Sequence, residues 1–149
     1  LNIWDGACHV HEKIGEVSLA EKQKEYPDAE MLIHPECGCS TSCMTKSAFY
    51  FDCKDGRLYS TDGMLKRAKE SASDEFVVAT ETGILHRMKK ENPGKKFYPA
   101  NEESVCDYMK MITLENLKDA LKYEQFEVKV PQALAEKAML PIERMLRVS

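Results

Sequence analysis

The apolar run Met31-Leu32-Ile33 halts at His34-Pro35-Glu36-Cys37, and few folds accommodate so short a run with so abrupt an end. Three apolar residues in a row are too few to define a helix face and suit a strand buried on both sides. Proline pushes the residue before it toward extended backbone and offers no amide to continue a ladder. The stretch therefore predicts a short parallel strand that stops at a loop. Ligands of open α/β sheets collect beyond the carboxyl ends of such strands, so His34 and Glu36 are placed at the mouth of a crevice. The plainer alternative is a strand-to-loop corner with polar residues at the surface.

The same alternation recurs along the chain. Ser18-x-x-Glu21 predicts a capping box opening a helix that Tyr26-Pro27 closes. A short helix is expected from Thr41 or Ser42 through Phe49, and Asp55-Gly56 within Tyr50–Tyr59 signals a hairpin. Ser60-Thr61-Asp62-Gly63 precedes a helix through Met64, Leu65 and Ala68, with hydroxyls placed to cap it. Glu75–Thr80 reads as the clearest strand. A helix follows from Ile84 to about Lys90, with His86 as a structural residue within it, then a strand from Lys96 to Tyr98. Thr113 caps a helix with Leu114, Leu117 and Leu121 on one side. Phe126–Val130 is expected as a strand, and Pro131 opens a last helix whose face carries Leu134, Ala138, Met139, Ile142, Met145 and Leu146. Alternating strands and helices predict an α/β fold with a parallel sheet.

Composition narrows the function. In 149 residues, 21 basic and 25 acidic side chains leave a formal charge of −4, which provides no basic stripe for a nucleic-acid backbone. No apolar run approaches the roughly 20 residues that cross a bilayer, and no secretory leader is visible. The amino end lacks Met and begins inside an apparent strand, which suggests a fragment or one piece of a larger enzyme. Six cysteines, Cys8, Cys37, Cys39, Cys43, Cys53 and Cys106, fit three disulfides outside the cell or, in a reducing cytoplasm, metal binding and chemistry. Cys37-x-Cys39-x-x-x-Cys43 has the close spacing of a cluster or zinc motif, but no second pair completes it. Three of the four histidines, His9, His11 and His34, fall in two strand-end turns. With Ser60, Thr61 and Glu81 in the next turns, that edge suits a small anionic substrate with Glu36 as general base.

Five motifs in order then resemble one family. They are Trp4-x-Gly6-x-Cys8-x-Val10-His11, His34-Pro35-Glu36-Cys37, Ser60-Thr61-x-Gly63-Met64, Ala79-Thr80-Glu81-x-Gly83-x-x-His86-Arg87 and Cys106-x-x-Met109-Lys110. Together they are similar to quinolinate synthase, the iron–sulfur enzyme of NAD biosynthesis. The resemblance implies three αβα domains about a pseudo-threefold axis, each three-layered with a short parallel sheet and each giving one cysteine to a central 4Fe–4S cluster. Residues 1–12 would end the second domain, 13–108 form the third, and 109–149 return toward the absent first. Cys8 and Cys106 would be two cluster ligands, with the third upstream of Leu1.

The activity so implied condenses iminoaspartate with dihydroxyacetone phosphate to quinolinate at an open iron acting as Lewis acid. Glu36 would move protons. His34 would hold a substrate oxygen, and Ser60, Thr61, His11 and Met109 would bind substrate or product. Partners implied are the missing half of the enzyme and an L-aspartate oxidase or aspartate dehydrogenase as iminoaspartate source, in the cytoplasm. The loop with Cys39 and Cys43 departs from the family pattern and would be either a lineage-specific insertion or a redox or metal device. The alternative from another class is a zinc or iron–sulfur binding module built on Cys37, Cys39 and Cys43.

Overall fold

In a computed structural model, residues 6–40 and 58–148 are described. The chain divides into two compact units, Leu1–Asp107 and Tyr108–Ser149.

In the first unit a three-stranded parallel sheet has the order β1 (Glu30–Ile33), β2 (Glu75–Ala79), β3 (Lys96–Pro99). Met31 lies beside Val77, and Val77 beside Tyr98. Successive strand residues face opposite ways, so each apolar run feeds two cores. Met31, Ile33, Val77 and Ala79 pack with Ile14 and with Leu19 and Ala20 of α1 (Glu16–Glu25). Leu32, Phe76, Val78 and Phe97 pack on the other face with Met64, Leu65 and Ala68 of α2 (Thr61–Glu70) and Leu85 and Met88 of α3 (Ile84–Glu91). Helices thus cover both faces, giving three αβα layers. Because β1, β2 and β3 are laid down in one direction, crossovers of a single hand put α2 and α3 on one face.

One detail differs from expectation in this unit, and another falls outside the described residues. The first helix opens at Glu16 with Gly15 as its cap, and the Ser18 hydroxyl donates back to the Gly15 carbonyl at 2.9 Å. Ser18 and Glu21 therefore mimic a capping box inside the first turns of a helix already begun. The expected short helix over 41–49 and most of the hairpin lie outside the described residues. Its last part, Leu58, forms a parallel bridge with Ile33, and Tyr59 donates its amide to the Ile33 carbonyl at 2.8 Å.

The second unit is helical. The four-residue helix α4 (Asp107–Lys110) leads into α5 (Leu114–Tyr123), which Thr113 caps by accepting the Asn116 amide at 3.2 Å. The final helix α6 (Gln132–Val148) contains Pro141. The strand expected over Phe126–Val130 does not form. Phe126 has a φ of 65°, a left-handed conformation foreign to a pleated strand, and Phe126, Val128 and Val130 are all exposed. No helix among the described residues is long and apolar enough to cross a membrane.

Candidate functional site

The site forms where β1 and β2 release the chain. His34 continues the ladder by one residue, donating its amide to the Ala79 carbonyl at 3.2 Å. The chain then turns, with Cys37 donating its amide to the His34 carbonyl at 3.0 Å. Pro35 takes the second position of this turn, where its fixed φ is preorganised. Glu36 is thereby thrust outward while Cys37 points back, its thiol donating to the Ala79 carbonyl at 3.2 Å. A second segment approaches from upstream, a single helical turn at His11–Lys13. Val10 and Ile14, both fully buried, anchor it at each end and turn His11 inward.

Four side chains meet there. His11 Nδ1 lies 3.1 Å from Glu36 Oε2, and His11 Nε2 lies 3.0 Å from Thr80 Oγ1. The His11 ring stacks on His34 with 4.2 Å between centroids and 4° between planes. The Glu36 amide donates to His34 Nδ1 at 3.3 Å. These contacts fix the tautomers. An ionised carboxylate only accepts, so the Nδ1 of His11 carries the hydrogen, and its Nε2, in the neutral ring, accepts from the Thr80 hydroxyl. His34 accepts at Nδ1, so its hydrogen is on Nε2, directed away from the turn. Burial holds the His34 imidazole below the usual histidine value, with the neighbouring His11 pushing the same way and Glu36 opposing. His34 is thus kept as a neutral hydrogen-bond donor.

Thiols border this cluster. Cys8 and Glu36 line an open cavity of about 490 Å3 with Gly6 and Ala7. One donor atom each of Cys8, His11 and Glu36 lies within 4.8 Å of the other two, a thiol–imidazole–carboxylate set able to hold a divalent cation. The Cys106 loop is laced to the Cys8 segment, since Asn101 donates to the Lys13 carbonyl at 3.0 Å and Lys13 donates to the Glu103 carbonyl at 3.2 Å. Iron–sulfur clusters ask for thiolates. Among the described thiols, Cys8 and Cys106 are partly exposed, whereas Cys37 and Cys39 sit in the core beside Ile14, Leu19 and Val77. Cys8, at the cavity, fits as one thiolate of such a cluster; among the described contacts none joins the Cys106 thiol to this edge. The module built on Cys37, Cys39 and Cys43 gains no support, since its first two thiols serve as core; Cys43 and Cys53 lie outside the described residues.

The remaining expected site residues are placed differently. The Ser60 hydroxyl caps α2 by accepting the Gly63 amide at 3.1 Å, and its hydrogen is left to donate to an anionic ligand. Thr61 is exposed at the first position of α2. The Tyr59 bond to Ile33 sets both beside the end of β1, but no described contact joins them to His11 or Glu36. Glu81 accepts the Gly83 amide at 2.7 Å at the start of α3. His86 is exposed on α3. Met109 belongs to the second unit and is exposed there. Sequence reasoning missed Thr80. The signal available was a hydroxyl residue placed immediately after the apolar run of β2, at the edge where His34 follows β1.

A family model described as quinolinate synthetase A protein matches residues 1–147. The chain is 47% identical over 148 residues to quinolinate synthase of Pyrobaculum aerophilum, covering 97% of this chain and 47% of that protein. It is 45% identical over 148 residues to quinolinate synthase of Thermus thermophilus, covering 99% and 46%. With quinolinate synthase of a Mycobacterium species the identity is 40% over 151 residues, covering 99% and 44%. The chain spans about half the length of the curated relatives it matches.

Proposed function

The chain belongs to the quinolinate synthetase A protein family, and on that premise we propose that it supplies about half of a quinolinate synthase, condensing iminoaspartate with dihydroxyacetone phosphate. The observation that carries this reading is the pairing of a carboxylate with a neutral imidazole donor at one strand edge, Glu36 held by His11 and His34 fixed with hydrogen on Nε2.

Cys8 and Cys106 would hold a 4Fe–4S cluster with a third thiolate from outside this chain, in one of three pseudo-threefold-related domains. When bound, an open iron supplies a Lewis acid for dehydration. The chain's own residues do the rest. Glu36 stands exposed at the cavity, where its carboxylate takes a proton from the substrate and returns it during ring closure. His34 donates from Nε2 to a carboxylate or carbonyl oxygen, and being neutral it does not neutralise Glu36. His11 orients that carboxylate. Thr61, the Ser60 hydrogen and the first amides of α2 offer an anion site, since those amides have no partner within the helix. Iminoaspartate would come from an aspartate-oxidising enzyme.

The test is made on the full-length enzyme purified without oxygen. Cys8→Ala and Cys106→Ala should each lose both iron content and quinolinate formation. If iron and activity both survive either change, the assignment of that thiolate is wrong.

A further inference from the structure

We infer that Thr80 is a positioning residue for the reaction, its hydroxyl locking His11 in the one tautomer and ring orientation that holds Glu36. The inference rests on the reading of Glu36 as the proton-moving group.

Thr80 is 3% exposed and occupies the first position after β2, so the sheet itself fixes its backbone. Its hydroxyl faces His11 Nε2 at 3.0 Å in a buried contact. His11 belongs to a short turn rather than to the sheet, and a lone turn does not by itself choose between two ring flips. Stacking on His34 fixes the plane of the ring but not which nitrogen faces which way, because a flip about the Cβ–Cγ bond keeps the plane. Glu36 at Nδ1 favours one of the two arrangements, and Thr80 at Nε2 supplies the second, buried contact that holds it. A hydroxyl at Nε2 satisfies a buried ring nitrogen that would otherwise go without a partner, and by donating there it leaves the hydrogen on Nδ1. That hydrogen is the one that reaches Glu36 Oε2 at 3.1 Å. The order is hydroxyl, imidazole, carboxylate, with the outer hydroxyl touching no substrate. It acts as a hydrogen-bond partner on the far nitrogen does when it sets the tautomer of an imidazole.

The test compares Thr80→Val, which keeps the shape and removes the hydroxyl, with Thr80→Ser, which restores it, in the full-length enzyme at mildly alkaline pH. Two quantities are read. Imidazole nitrogen NMR of histidine-labelled enzyme should show His11 protonated at Nδ1 alone in the wild type and in Thr80→Ser, and as a mixture of tautomers in Thr80→Val. Turnover should follow, with kcat about tenfold lower in Thr80→Val, the loss expected for one buried hydrogen bond, KM little changed and Thr80→Ser close to wild type. Thr80→Ala serves in the same comparison where the valine variant does not fold. An unchanged tautomer, or an unchanged kcat, in the variants lacking the hydroxyl would overturn the inference. If the wild-type enzyme forms no quinolinate while the tautomers behave as stated, the proposed reaction falls and the locking of His11 by Thr80 stands.

Discussion

The imidazoles of His11 and His34 lie face to face, 4.2 Å apart and 4° from parallel, so the two rings share one environment although they arrive on different segments. Two stacked rings do not both accept a proton without mutual repulsion, and burial weighs further against charge on His34. Unfolded, His34 binds its proton at the ordinary value of 6.5; folded, it does so only at lower pH. Between those values the unfolded chain holds more protons, so stability rises with pH and falls on acidification below about 6.5. Denaturant midpoints measured from neutral pH downward should show this slope, and His34→Asn should flatten it. An equal slope in the variant would show that the lost stability arises elsewhere.

Glu36→Gln separates holding from proton transfer. The glutamine oxygen still accepts from His11 Nδ1, so the turn, the stack and the iron content should all persist. The proton-moving carboxylate is gone, and loss of a general base costs about 10²- to 10⁴-fold in rate. The expected result is kcat down within that range with iron content and the His11 tautomer as in the wild type. Turnover at the wild-type rate would remove Glu36 from the chemistry.

The strands were legible in the sequence because each is an apolar run too short for a helix and ended by a polar residue or proline, as at His34-Pro35 and Thr80. The caps at Ser60 and Thr113 were legible for the same local reason. Phe126–Val130 alternates as a strand does, but alternation does not supply a neighbour to pair with, and Phe126 adopts a left-handed backbone instead. The site was half legible. His34 and Glu36 share one turn, so their closeness is written in their spacing. The contact between His11 and Thr80 spans 69 positions, and nothing local encodes it. It depends on β1 and β2 pairing and on Val10 and Ile14 seating the upstream turn.

Glu91 ties two helices of the same face. Lys69 of α2 reaches its carboxylate at 2.6 Å, and Arg87 of α3 does so at 2.6 Å. Hydrogen bonds from Lys69 and then Arg87 hold the Glu91 carboxyl down to about 2. A carboxyl depressed in the fold contributes stability that is full above its unfolded value of 4.5 and is lost as pH falls toward 2. Glu91→Gln should therefore lower the melting temperature modestly at neutral pH and have little effect near pH 2. These groups are solvated, so added salt should shrink the difference. A Glu91→Gln effect as large at pH 2 as at pH 7 would show that its role is packing rather than charge.

At the opposite end of the sheet from the site, Glu30 begins β1 with its side chain only 2% exposed. Arg67 of α2 grips it with two nitrogens, at 2.6 and 3.2 Å, and Ser71 and Ser73 donate at 2.6 and 3.3 Å. Lys95 closes the same corner by donating to the Ala68 and Ser71 carbonyls at the end of α2. A buried carboxylate stripped of its cation costs about 3–5 kcal/mol. Because both serines remain in Arg67→Met, the lower end of that range is expected, read as a shift in denaturant midpoint. Glu30→Met combined with Arg67→Met should recover most of the loss, since the charge and its partner then leave together. In both variants the folded fraction should keep its turnover, because the corner lies at the amino edge of the strands and the chemistry at the other. A cost below about 1 kcal/mol for Arg67→Met would class the pair with ordinary exposed ion pairs, and then Ser71 and Ser73 rather than Arg67 hold Glu30 in the core.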